Sequence, residues 1–371
     1  METLRLYPNL ILDALRNVRY PGNGKNIVEA GMVEDDIRID GNKVSFSLIF
    51  DRPTDPFIKS IVKSAETAIL QYISNDVDIR GNISVKTRIM APTPAEKPLK
   101  QAKNIIGVSS GKGGVGKSTV AANLAVALAR EGYKVGLLDA DIFGPSMPKM
   151  FGLEDEQLYM HRIGDRELII PAERYGVKML SIGFLVDKNS PVLWRGSMAS
   201  NALKQLITDA DWGEIDYFVI DMPPGTSDIH LTLVQTLAIT GTVIVTTPQQ
   251  VALADARKGI AMFRQKSVNV PILGLVENMA WFTPETHPDE KYYIFGREGG
   301  AELAKELDIK LLAQIPIVGT ICNDSDNGTP VALGDNAAAQ AFIHLAREVI
   351  DSVDERNATL PPTQKVNVTK K

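Results

Sequence analysis

The sequence contains a single cysteine, Cys322, among 371 residues. One thiol cannot form a disulfide within the chain, and it cannot build a four-cysteine zinc site. A domain stabilised by internal disulfides and a domain stabilised by such a zinc site are therefore both excluded. Long apolar runs are also missing. The longest, residues 233–245, is interrupted by Gln and Thr, which argues against a membrane-spanning helix. The first 17 residues lack the basic, apolar and small-residue order of a signal peptide, so we expect a cytoplasmic location.

An excess of positive charge is absent as well. The chain has 40 Lys and Arg against 45 Asp and Glu, which gives a formal net charge of −5. A broad basic face for nucleic acid is therefore not expected, and we predict neither a nucleic-acid nor a membrane partner. The hydrophobic share of 44% and the charged share of 23% are typical of globular proteins, which excludes a largely disordered chain.

The chain length predicts two or three domains. Residues 91–103, APTPAEKPLKQAK, carry three prolines and no apolar period, which is the composition of a linker. Residues 1–90 alternate helical and strand-like apolar spacing and predict a small α+β domain. Residues 104–351 form the main predicted domain. Residues 352–371 are polar, and we predict a flexible tail there.

The main domain alternates strand and helix patterns. The predicted strands are 104–108, 134–138, 215–220, 242–246, 272–277 and 311–315, and the predicted helices between them include 119–130, 254–266 and 300–307. Continuous Val, Ile and Leu runs alternating with helices predict an α/β fold with a mostly parallel sheet flanked by helices.

A glycine-rich segment, GKGGVGKST at residues 111–119, fits the pattern G-x-x-x-x-G-K-[ST] between a predicted strand and a predicted helix. Its backbone N–H groups and the helix N-terminus favour phosphate, and together they predict a P-loop. Lys117 is placed to reach the β- and γ-phosphates, and the Ser118 hydroxyl to bind Mg²⁺. The predicted nucleotide-binding residues of this segment are Gly111, Lys112, Gly113, Gly114, Val115, Gly116, Lys117, Ser118 and Thr119.

The same glycines also satisfy G-x-G-x-x-G, and Asp139 follows 23 residues after Gly116. That arrangement is typical of a dinucleotide-binding fold, in which the acid binds ribose. We favour the triphosphate interpretation because Lys117 and Ser118 have no part in the dinucleotide pattern. The two lysines of the loop also suit a triphosphate better than a pyrophosphate.

Two acidic motifs follow predicted strands. In DMPPGT, residues 221–226, Asp221 ends an apolar run, which is the position of an acid that holds Mg²⁺ through water. Gly225 of the same turn can present its N–H to a γ-phosphate. Asp139 and Asp141, two residues apart at another strand end, can order the Mg²⁺ shell and position the attacking water. A solvated turn is the alternative for each motif.

These motifs together carry a family resemblance. Residues 112–119, with the additional Lys112, are similar to the deviant Walker A motif, and residues 139–146 and 221–226 extend the likeness. With residues 247–250 and 277–279, the chain resembles the Mrp/ApbC group of iron–sulfur cluster carrier ATPases over about residues 104–350. The first 90 residues resemble the small MIP18-type (DUF59) domain, with Tyr-Pro-Gly at 20–22 in place of the usual Asp-Pro-Glu.

The resemblance implies a homodimer in which Lys112 reaches the partner's phosphates, much as an arginine finger does. It also implies that Asp141 orients or activates water, with Asp139 and Asp221 in the Mg²⁺ shell. Asn278 and the backbone near Pro316 would contact adenine. ATP is expected over GTP because no Asn-Lys-x-Asp motif occurs. The implied catalytic residues are therefore Lys112, Lys117, Asp141 and Asp221.

The chain departs from the family at the cargo site. The family has a Cys-x-x-Cys pair after Glu-Asn-Met, where two protomers hold one cluster, but residues 280–293 contain no cysteine. Thiolates are the usual ligands of such clusters. His287, Asp289 and Glu290 are weak substitutes, and a solvated acidic loop is the alternative. Cys322 is one thiol per protomer, and its alternative is a small buried residue.

Three functions follow. The first is an Mg-ATPase that carries an iron–sulfur cluster to apo iron–sulfur proteins or assembly factors. The second is a positioning switch similar to MinD or ParA, although the end of the chain lacks the amphipathic helix that membrane targeting requires. The third is an adaptor in which nucleotide only holds a dimer together.

Overall fold

The computed structural model describes residues 6–21, 24–50, 55, 57–87, 99, 101–163, 166–185, 196–284, 286–287 and 290–366. The chain divides into two compact units, Met1–Ala95 and Glu96–Lys371. The sequence-predicted linker falls largely outside the described residues. Its last two positions, Ala102 and Lys103, were wrongly included because they already belong to a strand.

The first unit packs two helices against a three-stranded sheet. Its elements are α1 (Pro8–Leu15), β1 (Arg38–Asp40), β2 (Lys43–Phe50), α2 (Ile58–Tyr72) and β3 (Ile83–Thr87). Strand β2 pairs antiparallel with β1 and parallel with β3. Its Val44, Phe46 and Leu48 are buried, and Ile61 and Ala65 of α2 belong to the same core. This is the α+β arrangement that the alternating spacing predicts.

The second unit is built on an eight-stranded sheet. Its strands are β4 (Ala102–Ser110), β5 (Val135–Asp139), β8 (Ala172–Arg174), β9 (Val177–Ser181), β10 (Ile215–Asp221), β11 (Gly241–Thr246), β12 (Ile272–Phe282) and β13 (Leu311–Ile317). They lie in the order β13-β12-β11-β4-β10-β5-β9-β8, and all neighbours are parallel except β8 and β9. A separate antiparallel hairpin consists of β6 (Tyr159–Ile163) and β7 (Arg166–Ile170).

Helices cover this sheet. They are α3 (Lys117–Arg130), α4 (Met147–Met150), α5 (Gly196–Thr208), α6 (Asp228–Thr236), α7 (Gln250–Arg264), α8 (Gly299–Glu306), α9 (Gly319–Asp326) and α10 (Ala337–Thr359). Every residue of β5 and of β11 is buried, as continuous apolar runs in a parallel sheet require. Two apolar clusters account for the burial, one containing α3 and α10 and the other α5, α6 and α7.

The final helix corrects the predicted tail. Helix α10 continues through Ser352 and ends at Thr359, and Val353 is fully buried. The composition of residues 352–359 is polar because only one side of the helix packs. Beyond the helix, the N–H of Val366 donates to the Val234 carbonyl at 3.1 Å.

Candidate nucleotide site

The phosphate loop lies where β4 ends and α3 begins. Gly116, the residue before the helix, has φ +81°, a left-handed conformation that glycine adopts without strain. A side chain there would overlap the amide nitrogen of Asn278. Gly111 lies against helix α7, and a Cβ on it would overlap the backbone of Asp255 and Ala256. Both positions therefore require glycine because neighbouring groups leave no room for a side chain, and not only because of the shape of the loop.

Four polar side chains meet beside the loop. The Lys117 ammonium lies 2.5 Å from Asp221 Oδ1, 3.1 Å from Ser118 Oγ and 3.7 Å from Asp141 Oδ2. The Ser118 hydroxyl donates to Asp221 Oδ2 at 2.7 Å. Lys117 is 6% exposed and Asp221 is fully buried. The structure thus brings together four of the predicted residues, from α3, the end of β10 and the loop after β5, at the carboxyl edge of the sheet.

Asp221 and Asp139 are cross-strand partners on β10 and β5. Burial raises the pKa of Asp221, although Lys117 opposes the shift. Burial, together with the negative charge of Asp221, raises the pKa of Asp139 to about 7. Two neighbouring buried carboxyl groups favour one shared proton. At this edge of the sheet, the Asp221 carboxylate is thus compensated by Lys117, whereas Asp139 ionises only near pH 7.

The carboxyl group of Asp139 accepts its hydrogen bonds from residues other than Ser118. Its Oδ2 accepts from the Ser181 hydroxyl at 2.9 Å and from the Met147 N–H at 3.2 Å, and its Oδ1 accepts from the Asp141 N–H at 3.2 Å. These bonds anchor the segment that carries Asp141. The place of Asp139 in an Mg²⁺ shell stays a prediction.

Gly225 lies beside the phosphate loop, as its motif suggested. Its φ is +77°, and its N–H donates to the Ser110 carbonyl at 2.9 Å. The N–H that was expected to face a γ-phosphate is thus engaged by the end of β4 in this structure. A γ-phosphate contact requires that this turn give up one backbone hydrogen bond.

Asn278 reaches the loop from strand β12. Its amide group donates to the Val115 carbonyl at 2.9 Å, and it is 7% exposed. Pro316 follows Ile315, the residue paired with Asn278 on β13. Both predicted adenine contacts therefore lie at the same sheet edge as the loop, and the contact itself stays a prediction. The bond to Val115 is a structural role that sequence reasoning missed.

The remaining residues of the phosphate loop differ in how far they are exposed to solvent. Val115 is buried, and the Thr119 carbonyl accepts from Asn123 at 2.9 Å. Gly113 and Gly114 are exposed. Lys112 is half-buried, its carbonyl accepts from the Ser110 hydroxyl at 2.9 Å, and within the described residues its ammonium makes no ion pair. Its side chain is therefore available to a ligand or to a second copy.

Two buried residues near the site were missed. His230 is 1% exposed at the start of α6, and its Nδ1 accepts from the Ser227 N–H at 3.2 Å in a reciprocal cap. Burial lowers the pKa of His230 to about 4, which keeps the imidazole neutral. Glu277 is fully buried and accepts from the Gly300 N–H and from Gln314 at 2.9 Å. The sequence signal for His230 is its position three residues after a capping serine.

An antiparallel β-bridge joins Phe282 and Tyr292 in the segment where the resemblance places a cysteine pair. Phe282 and Tyr292 exchange both backbone hydrogen bonds at 2.8 Å, and the Lys291 ammonium lies 3.8 Å above the Trp281 ring. Glu290 accepts from the Tyr292 hydroxyl at 2.5 Å. Of the predicted substitutes, Asp289 is outside the described residues. The Glu290 N–H donates to the His287 carbonyl at 3.1 Å, and the His287 ring lies 2.9 Å from the Thr286 hydroxyl.

Cys322 is exposed on α9, which corrects the expectation of a small buried residue. Its Sγ lies 3.8 Å from Asp326 Oδ2. Across the described part of the chain, no three His, Cys, Asp or Glu side chains are grouped to hold a metal ion. In the same part, no helix has both the length and the apolar character needed to cross a membrane.

The sheet order, the loop and the Lys117–Asp221 pair define a P-loop NTPase. Residues 101–350 match the family model described as NUBPL iron-transfer P-loop NTPase, and residues 9–80 match that of an iron-sulfur cluster assembly protein. The chain therefore belongs to the NUBPL iron-transfer family of P-loop NTPases.

Relatives agree with this assignment. The chain is 42% identical to an iron-sulfur cluster carrier protein of Synechocystis, over 94% of this chain and 98% of that protein. It is 45% identical to the mouse iron-sulfur cluster transfer protein NUBPL, over 71% of this chain and 82% of that protein. A solved nucleotide-binding protein from Archaeoglobus fulgidus, in complex with ADP, is 38% identical with a TM-score of 0.56, over 65% of this chain and 93% of that one.

Proposed function

We propose that the chain is an Mg-ATP-hydrolysing dimeric switch that delivers iron–sulfur clusters to apo iron–sulfur proteins or assembly factors in the cytoplasm. The observation that carries the nucleotide part is the Lys117–Asp221–Ser118 constellation beside the loop. The named function of the relatives supports the cargo part.

Lys117 can exchange its carboxylate partners for phosphate oxygens when a triphosphate binds. Lys117 is buried against Asp221 and Asp141, and a buried ammonium requires negative partners. Phosphate oxygens can replace these carboxylates. Ser118 and Asp221 then offer a hydroxyl and a carboxylate, the oxygen donors that Mg²⁺ takes. In this proposal Asp141 orients the attacking water, and Lys112 supplies charge across the dimer.

Cargo binding needs a different ligand set from the family's cysteine pair. The exposed thiol of Cys322 supplies one thiolate per protomer, so a dimer supplies two. A cluster bound by this protein therefore depends on Cys322, together with non-thiolate ligands or thiols of the recipient.

A second candidate function is an adaptor that dimerises on ATP without holding the cluster itself. The observation that favours it is the pair of backbone hydrogen bonds between Phe282 and Tyr292, which lie in the segment where the family has its thiolates. Nothing in the site favours the positioning alternative.

Anaerobic reconstitution with iron and sulfide separates the two candidates. Iron and sulfide are counted per protomer for the natural chain and for Cys322→Ala, each with and without ATP. A cluster that is lost in the variant supports the carrier with Cys322 as a ligand. Absence of a cluster from both proteins, with ATP hydrolysis retained, supports the adaptor.

A further inference from the structure

A cleft of about 750 Å³ lies at the sheet edge opposite the phosphate loop. Its floor includes Ala102 and Ile105 of β4, together with Thr240 just before β11. These residues stand at the amino ends of parallel strands, whereas the nucleotide site stands at their carboxyl ends. The segment 360–366, which follows α10, supplies the other wall through Leu360 and residues 362–365. We name this space the basal cleft.

Arg356 lines the basal cleft and is 9% exposed. Its Nη2 donates to the Pro361 carbonyl at 2.6 Å and to Thr363 Oγ1 at 3.0 Å, and its Nη1 donates to Asn357 Oδ1 at 3.0 Å. All of these acceptors are neutral. Among the described residues, the buried Nε has no hydrogen-bond partner.

A guanidinium in this position is incompletely compensated. It stays charged in proteins and offers five N–H donors, of which three make the bonds above. Burial lowers the pKa of Arg356, and no carboxylate among the described residues acts to raise it. Burying a cation without an anion is costly, so the site is poised to gain an anionic partner.

The rest of the described lining indicates the kind of anion. It contains two further basic residues, Lys103 and Lys365, each of which has a partner of its own, and no acidic residue. Lys103 also lies 2.8 Å from Asp216 at the rim. The apolar part of the lining comes from Ala102 and Ile105 of β4 in the floor and from Leu360 in the wall. This combination suits a small molecule with an oxyanion head and an apolar body.

We propose that the basal cleft is a second ligand site, which binds the phosphate or carboxylate group of a small amphipathic anion through Arg356. The site is independent of the nucleotide site and of the cargo proposal. A purely mechanical role for Arg356, holding the segment 360–366 against the sheet, is the rival explanation of the same hydrogen bonds.

The test is calorimetric titration of the full chain with inorganic phosphate and with butyl phosphate, in saturating magnesium and a non-hydrolysable ATP analogue so that the whole triphosphate position is occupied. Butyl phosphate should bind more tightly than inorganic phosphate, because only its butyl chain can contact the apolar lining of the cleft. In Arg356→Gln we expect binding of both probes to weaken by about tenfold or more, since the neutral amide cannot replace a charge-assisted pair. Arg347→Ala, which removes an exposed arginine of the same helix, is the matched control and should leave binding unchanged.

Two further measurements separate a ligand site from a mechanical one. Hydrogen exchange at the Val366 amide, which bonds Val234, reports whether the segment stays docked in Arg356→Gln. Ala238→Phe adds bulk to another part of the lining and leaves the Arg356 side chain itself unchanged, so it should abolish binding of butyl phosphate while the segment stays docked. The proposal is overturned if the natural chain binds neither probe, or if Arg356→Gln and Ala238→Phe bind both probes like the natural chain.

Discussion

Asn278 donates its side-chain amide to the Val115 carbonyl over 2.9 Å, and so ties the phosphate loop to β12, a strand two places away from β4 in the sheet. The bond is buried, and Gly116 leaves room for the amide group because it has no side chain. The shape of the loop thus depends on a residue 163 positions further along the chain.

This relationship gives the first prediction. Asn278→Ala should weaken nucleotide binding by roughly tenfold, because a buried carbonyl loses its donor and the loop loosens. If Asn278 acts through the loop, ATP and inorganic tripolyphosphate should lose affinity together. If it acts through adenine, only ATP should lose affinity. Equilibrium binding of both probes to the variant and the natural chain decides between the two roles.

The second prediction concerns Lys117. Removing it in Lys117→Ala leaves Asp221 buried without its cation, and we expect a loss of about 3 kcal/mol or more in the free energy of unfolding. The loss should be smaller in acid, because burial raises the pKa of Asp221 and a protonated carboxyl group needs no cation. Urea denaturation of both proteins near pH 5 and pH 8 measures this difference. An equal loss at both values would contradict the buried pair.

The third prediction follows from Asp139. Its pKa rises from 3.8 in the unfolded chain to about 7 in the fold. Between these values the unfolded state has released the proton that the folded state keeps, so stability falls as pH rises, with a slope of up to about 1.4 kcal/mol per pH unit. Asp139→Asn cannot titrate and should lack this contribution. The difference in unfolding free energy between the two proteins, measured across this range, reports the titration of the neighbouring Asp139 and Asp221 carboxyl groups and cancels that of distant groups.

The fourth prediction compares two glycines of one loop. Gly111→Ala places a Cβ into the backbone of Asp255 and should cost about 1–3 kcal/mol of stability through overpacking, besides impairing nucleotide binding. Gly113→Ala is the matched control, since a Cβ there meets nothing within 4 Å and the φ angle is not left-handed. Its stability without nucleotide should change by less than about 0.5 kcal/mol. Thermal and chemical unfolding of both variants test the contrast.

Much of the central sheet was predictable because its strands are buried on both faces. Runs such as 242–246 leave no polar alternation, and the Gly-rich segment fixes where the first strand ends. The predicted strands there agree with the structure to within two residues, except that β12 continues five residues beyond its predicted end, to Phe282. Within that extension Asn278 and Phe282 pair with β13, and Phe282 also pairs with Tyr292; neither pairing is visible in local composition.

The parts that sequence patterns missed depend on partners distant in the chain. Strands β6 to β9 are short, and β8 is antiparallel at a sheet edge, so no continuous apolar run marks them. The end of α10 reads as polar because Val353 and Arg356 are its only large buried side chains after residue 350. The Asn278–Val115 and Asp139–Ser181 bonds likewise join residues that only the fold brings together.

The last prediction tests the dimeric mechanism through Lys112. Its ammonium makes no ion pair with a described residue, so replacing it removes no internal bond, and the stability of the single chain should be unchanged in Lys112→Ala. Binding of ATP should be largely retained, because Lys117 and the loop backbone remain. Hydrolysis should fall by about a thousandfold or more if Lys112 acts as a charge supplied across the dimer. Mixing Lys112→Ala with an Asp141→Asn protein, itself impaired in water orientation, should restore part of the activity if the lysine acts in the partner's site. Full turnover by Lys112→Ala alone would refute the mechanism, whereas absence of rescue in the mixture would place Lys112 in its own site.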